Sequence, residues 1–401
     1  MSTTTKAGPL RHALTLNESA CVKGDTLLEA TDVVIRFNLR GKTLTAVRSA
    51  SLALKAGETL AVVGESGSGK SVFAKSFLGM LDKNGRVASG SIRYRGAELS
   101  SLKGEREWLS VRGSRIAMVF QDPMTALNPL KTVGEQIREA AALHRGLDKE
   151  HSRLLALDML ARVGIGEPER RYGQYPHEFS GGMRQRAVIA AAIACGPEIL
   201  ICDEPTTALD VTIQAQILEL IKSLQRDLGM AVLFITHDLG VVAKMADRIA
   251  VMYAGQVVEE GLSAEIFYDP RHPYTWALLA SLPQLGVKGE ELFAIKGTPP
   301  SLFKEIKGDA FAARNPLALK VDFEHEPPFF SVSPTHRAKT WLLDPRAPAQ
   351  EAPDTVRRLR ARIAEAGKAA GLREPNAPTA VAKADGAKKR KAKKAKEQAD
   401  E

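Results

Sequence analysis

Apolar and polar residues alternate over the first part of the chain. In the segment 27–62, Val33, Ile35 and Phe37 are separated by single residues, and Gly41 and Gly57 interrupt the pattern. A period of two puts these side chains on one face of a strand. The segment is therefore predicted to form antiparallel strands with one face toward a core.

Short, continuously apolar runs follow, separated by helical patterns. The runs lie at 60–63, 199–202, 232–235 and 249–253, and the first leads into a glycine-rich loop and a helix. Another helix ends before Gly229 and has an apolar face made of Ile213, Ile217, Leu220, Leu224 and Leu228. Such strands alternating with helices predict an α/β fold with a mostly parallel sheet covered on both faces.

Shifts in composition divide the remaining chain. Residues 124–185 are rich in helix formers, which predicts a helical subdomain inserted into the α/β domain. The predicted parts are a flexible segment at 1–24, the α/β domain at 25–282, a small irregular Pro-rich extension at 283–345, a linker with a short helix capped by Asp354 at 346–370, and a disordered basic tail at 371–401.

Composition and charge narrow the class of protein. The 401 residues are 44% hydrophobic and 26% charged, as in a globular protein of two or three domains. The net charge is +9, but residues 383–401 contain eight Lys/Arg and four Asp/Glu, which leaves +5 for the rest. This tail is either a solvated end or a contact for anionic lipid or RNA.

The sequence excludes membrane-spanning proteins and disulfide-stapled proteins. No apolar stretch approaches the ~20 residues of a spanning helix, and the N-terminus lacks a secretory pattern. Cys21, Cys195 and Cys202 show no CxxC spacing, which indicates free thiols in a reducing compartment. We therefore expect a cytosolic protein that does not cross a bilayer by itself.

A phosphate-binding loop follows the first apolar run. It fits G-x-x-x-x-G-K-[ST] and consists of Gly64, Glu65, Ser66, Gly67, Ser68, Gly69, Lys70 and Ser71. Its glycines let backbone N–H groups turn toward phosphate oxygens. Lys70 is predicted to reach the β- and γ-phosphates and Ser71 to coordinate Mg²⁺. By itself the loop is typical of kinases, GTPases, helicases and transporters alike.

Further motifs occur in a fixed order. They are Gln121 after the apolar run IAMVF, SGGMRQR at 180–186, ILICDEP at 199–205, Ala208, Leu209 and Asp210, and ITHD at 235–238. With the glycine-rich loop, the sequence resembles the ATP-binding-cassette (ABC) ATPases. In that family these motifs are the Walker A, Q-loop, signature, Walker B, D-loop and switch histidine. The resemblance implies that the chain binds ATP and Mg²⁺.

The resemblance also implies a role for each residue. Asp203, with Ser71 and Gln121, would hold Mg²⁺, and Glu204 would act as the general base toward water. His237 would hydrogen-bond the γ-phosphate, which Gln121 would also sense. Phe37 is a candidate for stacking on adenine by its spacing alone, and a plain core phenylalanine is the alternative.

The signature residues point to a composite site. Ser180, Gly181, Gly182 and Met183 resemble the loop that binds the γ-phosphate of ATP held by a second cassette, with Met183 where many members have glutamine. One chain cannot complete its own pocket in this family. The resemblance therefore implies that two cassettes dimerise with two ATP molecules between them. It also assigns Asp210 to the D-loop.

One branch of the family matches further. YDPRHPYTWALLASLP at 268–283 resembles the start of the extension in ATP-binding subunits of oligopeptide and dipeptide importers. The likeness covers roughly residues 27–345. It implies a second, different ATPase subunit, two membrane permease subunits and an extracellular peptide-binding protein, with the chain at the cytoplasmic face of the membrane. The identity of the transported peptides stays open, and so does transport of another small solute such as nickel.

The extension departs from many relatives at four positions. Where they have cysteines that ligate an iron–sulfur cluster, this chain has Asp309, Asn315, Asp322 and Thr340, with Gly308, Phe311, Arg314, Pro316 and His336 retained. Such clusters need thiolates, so no iron–sulfur cluster is expected. Ordinary loop hydrogen bonding is the favoured interpretation here, and a hard-metal site at Asp309 and Asp322 is the alternative.

A soluble ABC ATPase acting on nucleic acid or ribosomes is the competing hypothesis, suggested by the basic tail. Tandem cassettes or zinc-finger insertions would favour it. The chain has one Walker A motif and no zinc spacing among its cysteines, so no nucleic-acid partner is expected.

Overall fold

A computed structural model describes residues 22–207, 209–281 and 295–348, together with Asp354, Arg357, Arg358 and Ala361. The chain divides into two units, residues 1–351 and 352–401. In the second unit the four described residues are helical, within the predicted short helix, and Arg357 donates to Asp354. The predictions for residues 1–21, Ala208, the start of the extension and the tail at 371–401 lie outside the described residues.

The strands of the first unit are β1 (Thr26–Leu39), β2 (Lys42–Lys55), β3 (Thr59–Val63), β4 (Gly85–Tyr94), β5 (Ala97–Glu98), β6 (Ile116–Val119), β7 (Ile199–Asp203), β8 (Ala231–Thr236), β9 (Arg248–Tyr253), β10 (Gln256–Leu262), β11 (Phe329–Ser331) and β12 (Arg337–Lys339). Its helices are α1 (Lys70–Ser76), α2 (Glu105–Trp108), α3 (Pro123–Ala126), α4 (Val133–Arg145), α5 (Lys149–Arg162), α6 (Pro168–Tyr172), α7 (Gly181–Ile193), α8 (Val211–Leu228), α9 (Leu239–Met245), α10 (Ser263–Tyr268), α11 (Pro273–Ala280) and α12 (Lys320–Glu324).

Two sheets carry this architecture. The antiparallel sheet has the order β2-β1-β4-β5, and the mixed sheet has the order β11-β12-β10-β9-β3-β8-β7-β6. Strands β6, β7, β8, β3 and β9 run parallel to one another. The predicted α/β class, with an antiparallel N-terminal region and a mostly parallel central sheet, is confirmed.

The parallel strands are buried because both of their faces are covered. Ile199 and Ile201 of β7 pack into one core cluster with the antiparallel sheet and α1, whereas Leu200 and Cys202 pack into the other with α4, α5, α7 and α8. All five residues of β7 are buried. Covering on both faces explains why this strand is continuously apolar rather than alternating.

Helices occupy the stretch between β6 and β7. They include α4, α5 and α7, and Thr132 begins α4 with a capping box in which its hydroxyl accepts from the N–H of Glu135. Gly146 ends α4 in the left-handed conformation. No helix of the described residues is both long and apolar enough to span a membrane.

The extension is more regular than its proline content indicated. Strands β11 and β12 form a hairpin, and β12 pairs antiparallel with β10 at Glu259 and Glu260. The extension therefore adds two strands to the mixed sheet of the α/β domain. Buried His336, just before β12, reinforces the junction because its Nε2 lies 2.8 Å from Oε1 of buried Glu259.

Candidate nucleotide site

The glycine-rich loop connects β3 to α1 at the carboxyl edge of the sheet. Gly69, the residue before α1, has φ of 98°, and a Cβ there would lie 2.6 Å from the carbonyl oxygen of Ala46. Neither the backbone conformation nor the space suits a side chain. The loop can approach β2 this closely because that position is glycine.

The Lys70 side chain folds back over the glycine-rich loop and hydrogen-bonds to its backbone. Its ammonium donates to the carbonyl oxygens of Gly64 at 2.8 Å and Glu65 at 2.9 Å. Burial lowers the pKa of Lys70, and the carboxylates of Glu204, Asp203 and Glu65 oppose that shift. The cation therefore lies among both the loop carbonyls and the acidic residues at the end of β7.

Ser71 and Asp203 form an oxygen pair. The Ser71 hydroxyl donates to Oδ1 of Asp203 at 2.8 Å, and Asp203 is buried as the last residue of β7. Burial raises the pKa of Asp203, as does the Glu204 carboxylate, whereas the hydrogen bond from Ser71 lowers it. Hydroxyl and carboxylate oxygens are the ligands that Mg²⁺ prefers, and it usually keeps several waters, so the pair fits the predicted metal.

Side chains that follow three neighbouring strands come together at Glu204. Oε2 of its carboxylate accepts from Gln121 Nε2 at 3.4 Å and from the Thr207 hydroxyl at 3.0 Å, and Oε1 lies 3.2 Å from His237 Nδ1. Gln121, Glu204 and His237 follow β6, β7 and β8, whose carboxyl ends share one edge. These three predicted residues are therefore brought together.

The signature and D-loop residues begin two helices. Ser180 caps α7 by accepting from the N–H of Met183 at 3.3 Å, and Asp210 caps α8 by accepting from the N–H of Ile213 at 2.9 Å. Gly182 lies against Ile213. In the part of the chain that the structure describes, no hydrogen bond or ion pair joins residues 180–183 to the glycine-rich loop.

Phe37 lies on β1 with the core rather than in an open position. It is 9% exposed, belongs to the cluster with Val33 and Ile35, and packs against Gly85. These contacts favour the alternative of a core phenylalanine. Stacking of Phe37 on adenine stays a prediction.

The four positions that replace cysteines make local hydrogen bonds. Asp309 accepts from the N–H of Phe311, Asn315 from Leu317, Asp322 from Leu319 and Thr340 from Leu342. Among described residues, no group of three or more His, Cys, Asp or Glu is arranged to hold a metal ion. The favoured interpretation, loop hydrogen bonding, fits these contacts, and the absence of an iron–sulfur cluster stays a prediction.

Three residues at the site were missed in the sequence. Thr207 lies three positions after Glu204, so the Walker B segment itself could have pointed to it. Tyr274 and Arg314 contact Glu65 of the glycine-rich loop from the C-terminal part of the chain. They are more than 200 positions away from Glu65 in sequence, and although both lie in segments that resemble the family, no local pattern indicates that they contact the loop.

The strand order and the groups meeting at Glu204 define the class of molecule, an ABC ATPase. The family model described as ABC transporter matches residues 47–207, and the one described as Oligopeptide/dipeptide transporter, C-terminal region, matches residues 258–321. The chain belongs to the family of oligopeptide and dipeptide transport ATP-binding proteins, and it is an ATPase.

Individual relatives and solved structures agree with this assignment. The oligopeptide transport ATP-binding protein AmiE of Streptococcus pneumoniae is 56% identical over 341 residues, covering 85% of this chain and 96% of AmiE. OppD of Bacillus subtilis, with the same description, is 56% identical over 333 residues, covering 82% and 93%. The dimeric, post-hydrolysis structure of the cassette MJ0796 bound to ADP and Pi matches with a TM-score of 0.53 and 30% identity, covering 59% of this chain and 99% of that one.

Proposed function

We propose that the chain binds MgATP at residues 64–71 and hydrolyses it to energise import of oligopeptides or dipeptides through a membrane complex. The observation that carries the hydrolytic part is the convergence of Gln121 and His237 on Glu204, next to the Ser71–Asp203 pair. The peptide substrate is supported by the family match at 258–321 and by the names of the relatives.

Each side chain has a step in this mechanism. The loop N–H groups and Lys70 bind the phosphates, and Ser71, Asp203 and Gln121 would hold Mg²⁺, which would neutralise charge on the phosphate oxygens. Glu204 accepts the proton of the attacking water as general base. His237, 3.2 Å from Glu204, hydrogen-bonds the γ-phosphate and keeps it in line with that water.

The partners follow from the incomplete site. Ser180–Met183 serve the ATP of a second, different ATPase subunit, and that subunit's signature completes the site at Lys70. The absence of described hydrogen bonds between residues 180–183 and the chain's own loop supports a site shared by two cassettes, as does the dimeric state of the MJ0796 neighbour. The proposal that the second cassette is a different subunit rests on the resemblance to peptide importers. Two permease subunits anchor the pair at the cytoplasmic face of the cell membrane, and an extracellular binding protein delivers the peptide.

A groove between the sheet and the helical region is suited to a permease contact. A cavity of about 350 Å³ is lined by residues of β6, the segment after it, α4 and α7, among them Met118, Phe120, Leu127 and Val188. Met124 and Leu130, in the same segment, are 61% and 85% exposed. An apolar edge beside a groove fits a short helix offered by a membrane subunit.

The Glu204→Gln variant tests the proposal in the assembled transporter. ATP binding should be retained because Lys70 and the loop are unchanged, whereas hydrolysis should fall ~10²–10⁴-fold because the general base is lost. ATP-dependent uptake of a labelled oligopeptide into vesicles should fall with it. Binding, phosphate release and uptake are measured on the same preparation.

Lys70→Ala is the matched control, because it should weaken nucleotide binding itself. Turnover of the Glu204→Gln site near the unmodified rate would contradict the assigned base. Loss of hydrolysis with peptide uptake unaffected would contradict the transport function.

A further inference from the structure

Two side chains from the C-terminal part of the chain hold Glu65, the second residue of the glycine-rich loop. Arg314 donates from Nη1 to Oε2 of Glu65 at 2.9 Å and from Nη2 to Oε1 at 3.1 Å, a two-pronged ion pair. The Tyr274 hydroxyl accepts from the backbone N–H of Glu65 at 2.8 Å. Because the Glu65 carbonyl also accepts from Lys70, this loop residue is fixed at its N–H, its carbonyl and its carboxylate.

Arg314 is itself rigidly placed. Its side chain is 5% exposed, and Nη1 also donates to the Tyr253 hydroxyl at 3.1 Å, with the guanidinium 5.7 Å from the ring centre of Tyr253 and 5.9 Å from that of Phe311. Nε donates to the carbonyl oxygen of Lys296. A guanidinium held by aromatic rings and several acceptors loses little further freedom in pairing with Glu65.

The pair matters electrostatically because Glu65 is a carboxylate in a loop that binds a polyanion. Glu65 is close enough to Lys70 for its charge to oppose the burial-induced lowering of the lysine's pKa. An unpaired negative charge there would repel the phosphates of ATP. The buried Arg314 cancels this charge and keeps the carboxylate turned toward the extension.

We propose that Arg314 is a positioning residue of the nucleotide site: by neutralising and anchoring Glu65, the C-terminal extension sets the affinity of the Walker A loop for ATP. This inference rests on the proposed binding of MgATP at residues 64–71. It gives the C-terminal part of the chain, where the family match at 258–321 contains both Tyr274 and Arg314, a direct part in nucleotide binding.

Binding of the non-hydrolysable analogue Mg·AMP-PNP to the full-length chain tests the proposal by titration calorimetry. Arg314→Gln should weaken binding about tenfold, because Glu65 is left charged beside the phosphates; this corresponds to ~1.4 kcal/mol. Adding Glu65→Gln to that variant should restore the affinity to within about twofold of the unmodified chain, because the offending charge is gone.

The single Glu65→Gln variant should change the affinity for AMP-PNP in the opposite direction, which makes it an independent test. It leaves the Arg314 charge uncompensated near the phosphates, so binding should tighten about threefold and become more salt-dependent. If the pair served only to hold the extension in place, this variant would not tighten binding, and an unchanged or weakened affinity would contradict the proposal. It also keeps the proposal falsifiable if Arg314→Gln does not fold.

Arg337→Gln is the matched control, since it breaks another ion pair between the extension and the core, the one from Nη2 to Oε2 of Glu260 at 2.7 Å. It should leave AMP-PNP affinity unchanged. An unchanged affinity of Arg314→Gln, or a loss that Glu65→Gln does not rescue, would overturn the inference. Lys70→Ala separates this from the proposed function: if that variant binds AMP-PNP as the unmodified chain does, the nucleotide site itself is wrong.

Discussion

Glu204 has φ of 46°, in the left-handed region that residues with side chains seldom adopt. Its backbone N–H donates to the carbonyl oxygen of Ile235 on β8 at 2.9 Å, which holds the turn after β7 in place. Such a conformation costs on the order of 1–3 kcal/mol and persists where surrounding contacts determine it. Here it directs the carboxylate toward Gln121 and His237, so the strain is part of the site.

Asp309, in the extension, is a second residue whose environment is energetically unfavourable, because its carboxylate is largely buried. Burial raises the pKa of Asp309 to about 6, with the Asp322 and Glu326 carboxylates adding to the shift and the Phe311 N–H and Lys339 opposing it. Between about pH 4 and pH 6 the folded chain therefore binds a proton that the unfolded chain releases. The free energy of unfolding falls as the pH rises through this window, and the full cost is present above it.

Asp309→Asn should remove that cost. The side-chain oxygen still accepts from the Phe311 N–H, at 2.9 Å in the unmodified chain, but no charge has to be buried. We expect the free energy of unfolding to rise by roughly 1–3 kcal/mol at pH 8 and by about half as much at pH 5. Denaturant unfolding of the full-length chain at the two pH values measures this.

Asp344→Asn provides the comparison, because hydrogen bonds from Arg346 lower the pKa of Asp344 to about 2. A carboxylate with a lowered pKa stabilises the fold above its usual range, so this variant should bring no gain at pH 8. Equal gains from both variants, or a gain for Asp309→Asn that does not depend on pH, would refute the explanation.

At the scale of elements, local patterns account for the central sheet but not for its added edge. Apolar runs such as residues 199–202 of β7 are recognisable because both faces are buried, and Gly229 marks the end of α8 by its left-handed conformation. Strands β11 and β12 have three residues each, too few for a period to emerge. β12 pairs with β10 and β11 pairs with β12, next to the contact of His336 with the distant Glu259, which no local pattern records.

The residues of the candidate site also divide into those that local patterns predict and those that they do not. Lys70, Ser71, Asp203, Glu204 and His237 lie in contiguous motifs whose chemistry can be read directly, and the structure brings them to one edge. Phe37 was proposed from spacing alone, and spacing does not distinguish a ring that faces a ligand from one that packs on Gly85. The Arg314–Glu65 pair joins residues far apart in sequence, so only the folded chain reveals it.

The packing of α7 on α8 leads to a prediction at this scale. A Cβ added at Gly182 would lie 2.7 Å from Cγ2 of Ile213, whereas one at Gly181 would lie 3.7 Å from Cδ2 of Leu209. Gly182→Ala should therefore push the two helices apart and lower the free energy of unfolding by about 1–3 kcal/mol. Chemical denaturation of the full-length chain measures the change.

Gly181→Ala is the neighbouring control, in the same helical turn but with ordinary contact distance. It should be neutral or slightly stabilising, because alanine is the better helix former. If the two alanine variants were equally stable, close approach at Gly182 would not be what joins these helices.

For the molecule as a whole, the proposed function makes the site at Lys70 one half of a shared pair. If residues 180–183 serve another subunit's ATP, the isolated chain should be mainly monomeric and slow. Ser180→Arg should then reduce hydrolysis at the partner's Walker A site while ATP binding at Lys70 is retained, because the long side chain intrudes on a phosphate held by the other subunit. Site-specific photolabelling and turnover of the co-expressed complex measure both.

Ser180→Ala separates intrusion from loss of the helix cap, since both variants remove the hydroxyl that accepts from Met183, at a cost of ~1 kcal/mol. The alanine variant should retain much more partner-site activity than the arginine variant. Full activity of the isolated chain as a homodimer, unaffected by added partners, would contradict the heteromeric arrangement.

The hairpin of β11 and β12 also bears on how the chain is made. During synthesis from the N-terminus, β10 emerges well before β12, and at roughly 5–20 residues per second its backbone groups wait several seconds for their partner. Meanwhile Glu259 and Glu260 lack His336 and Arg337, and the open edge can pair with another nascent chain. The ATPase sheet is thus finished only by the hairpin of the extension, and a chain that ends before residue 337 leaves β10 as an open edge with which another strand can pair.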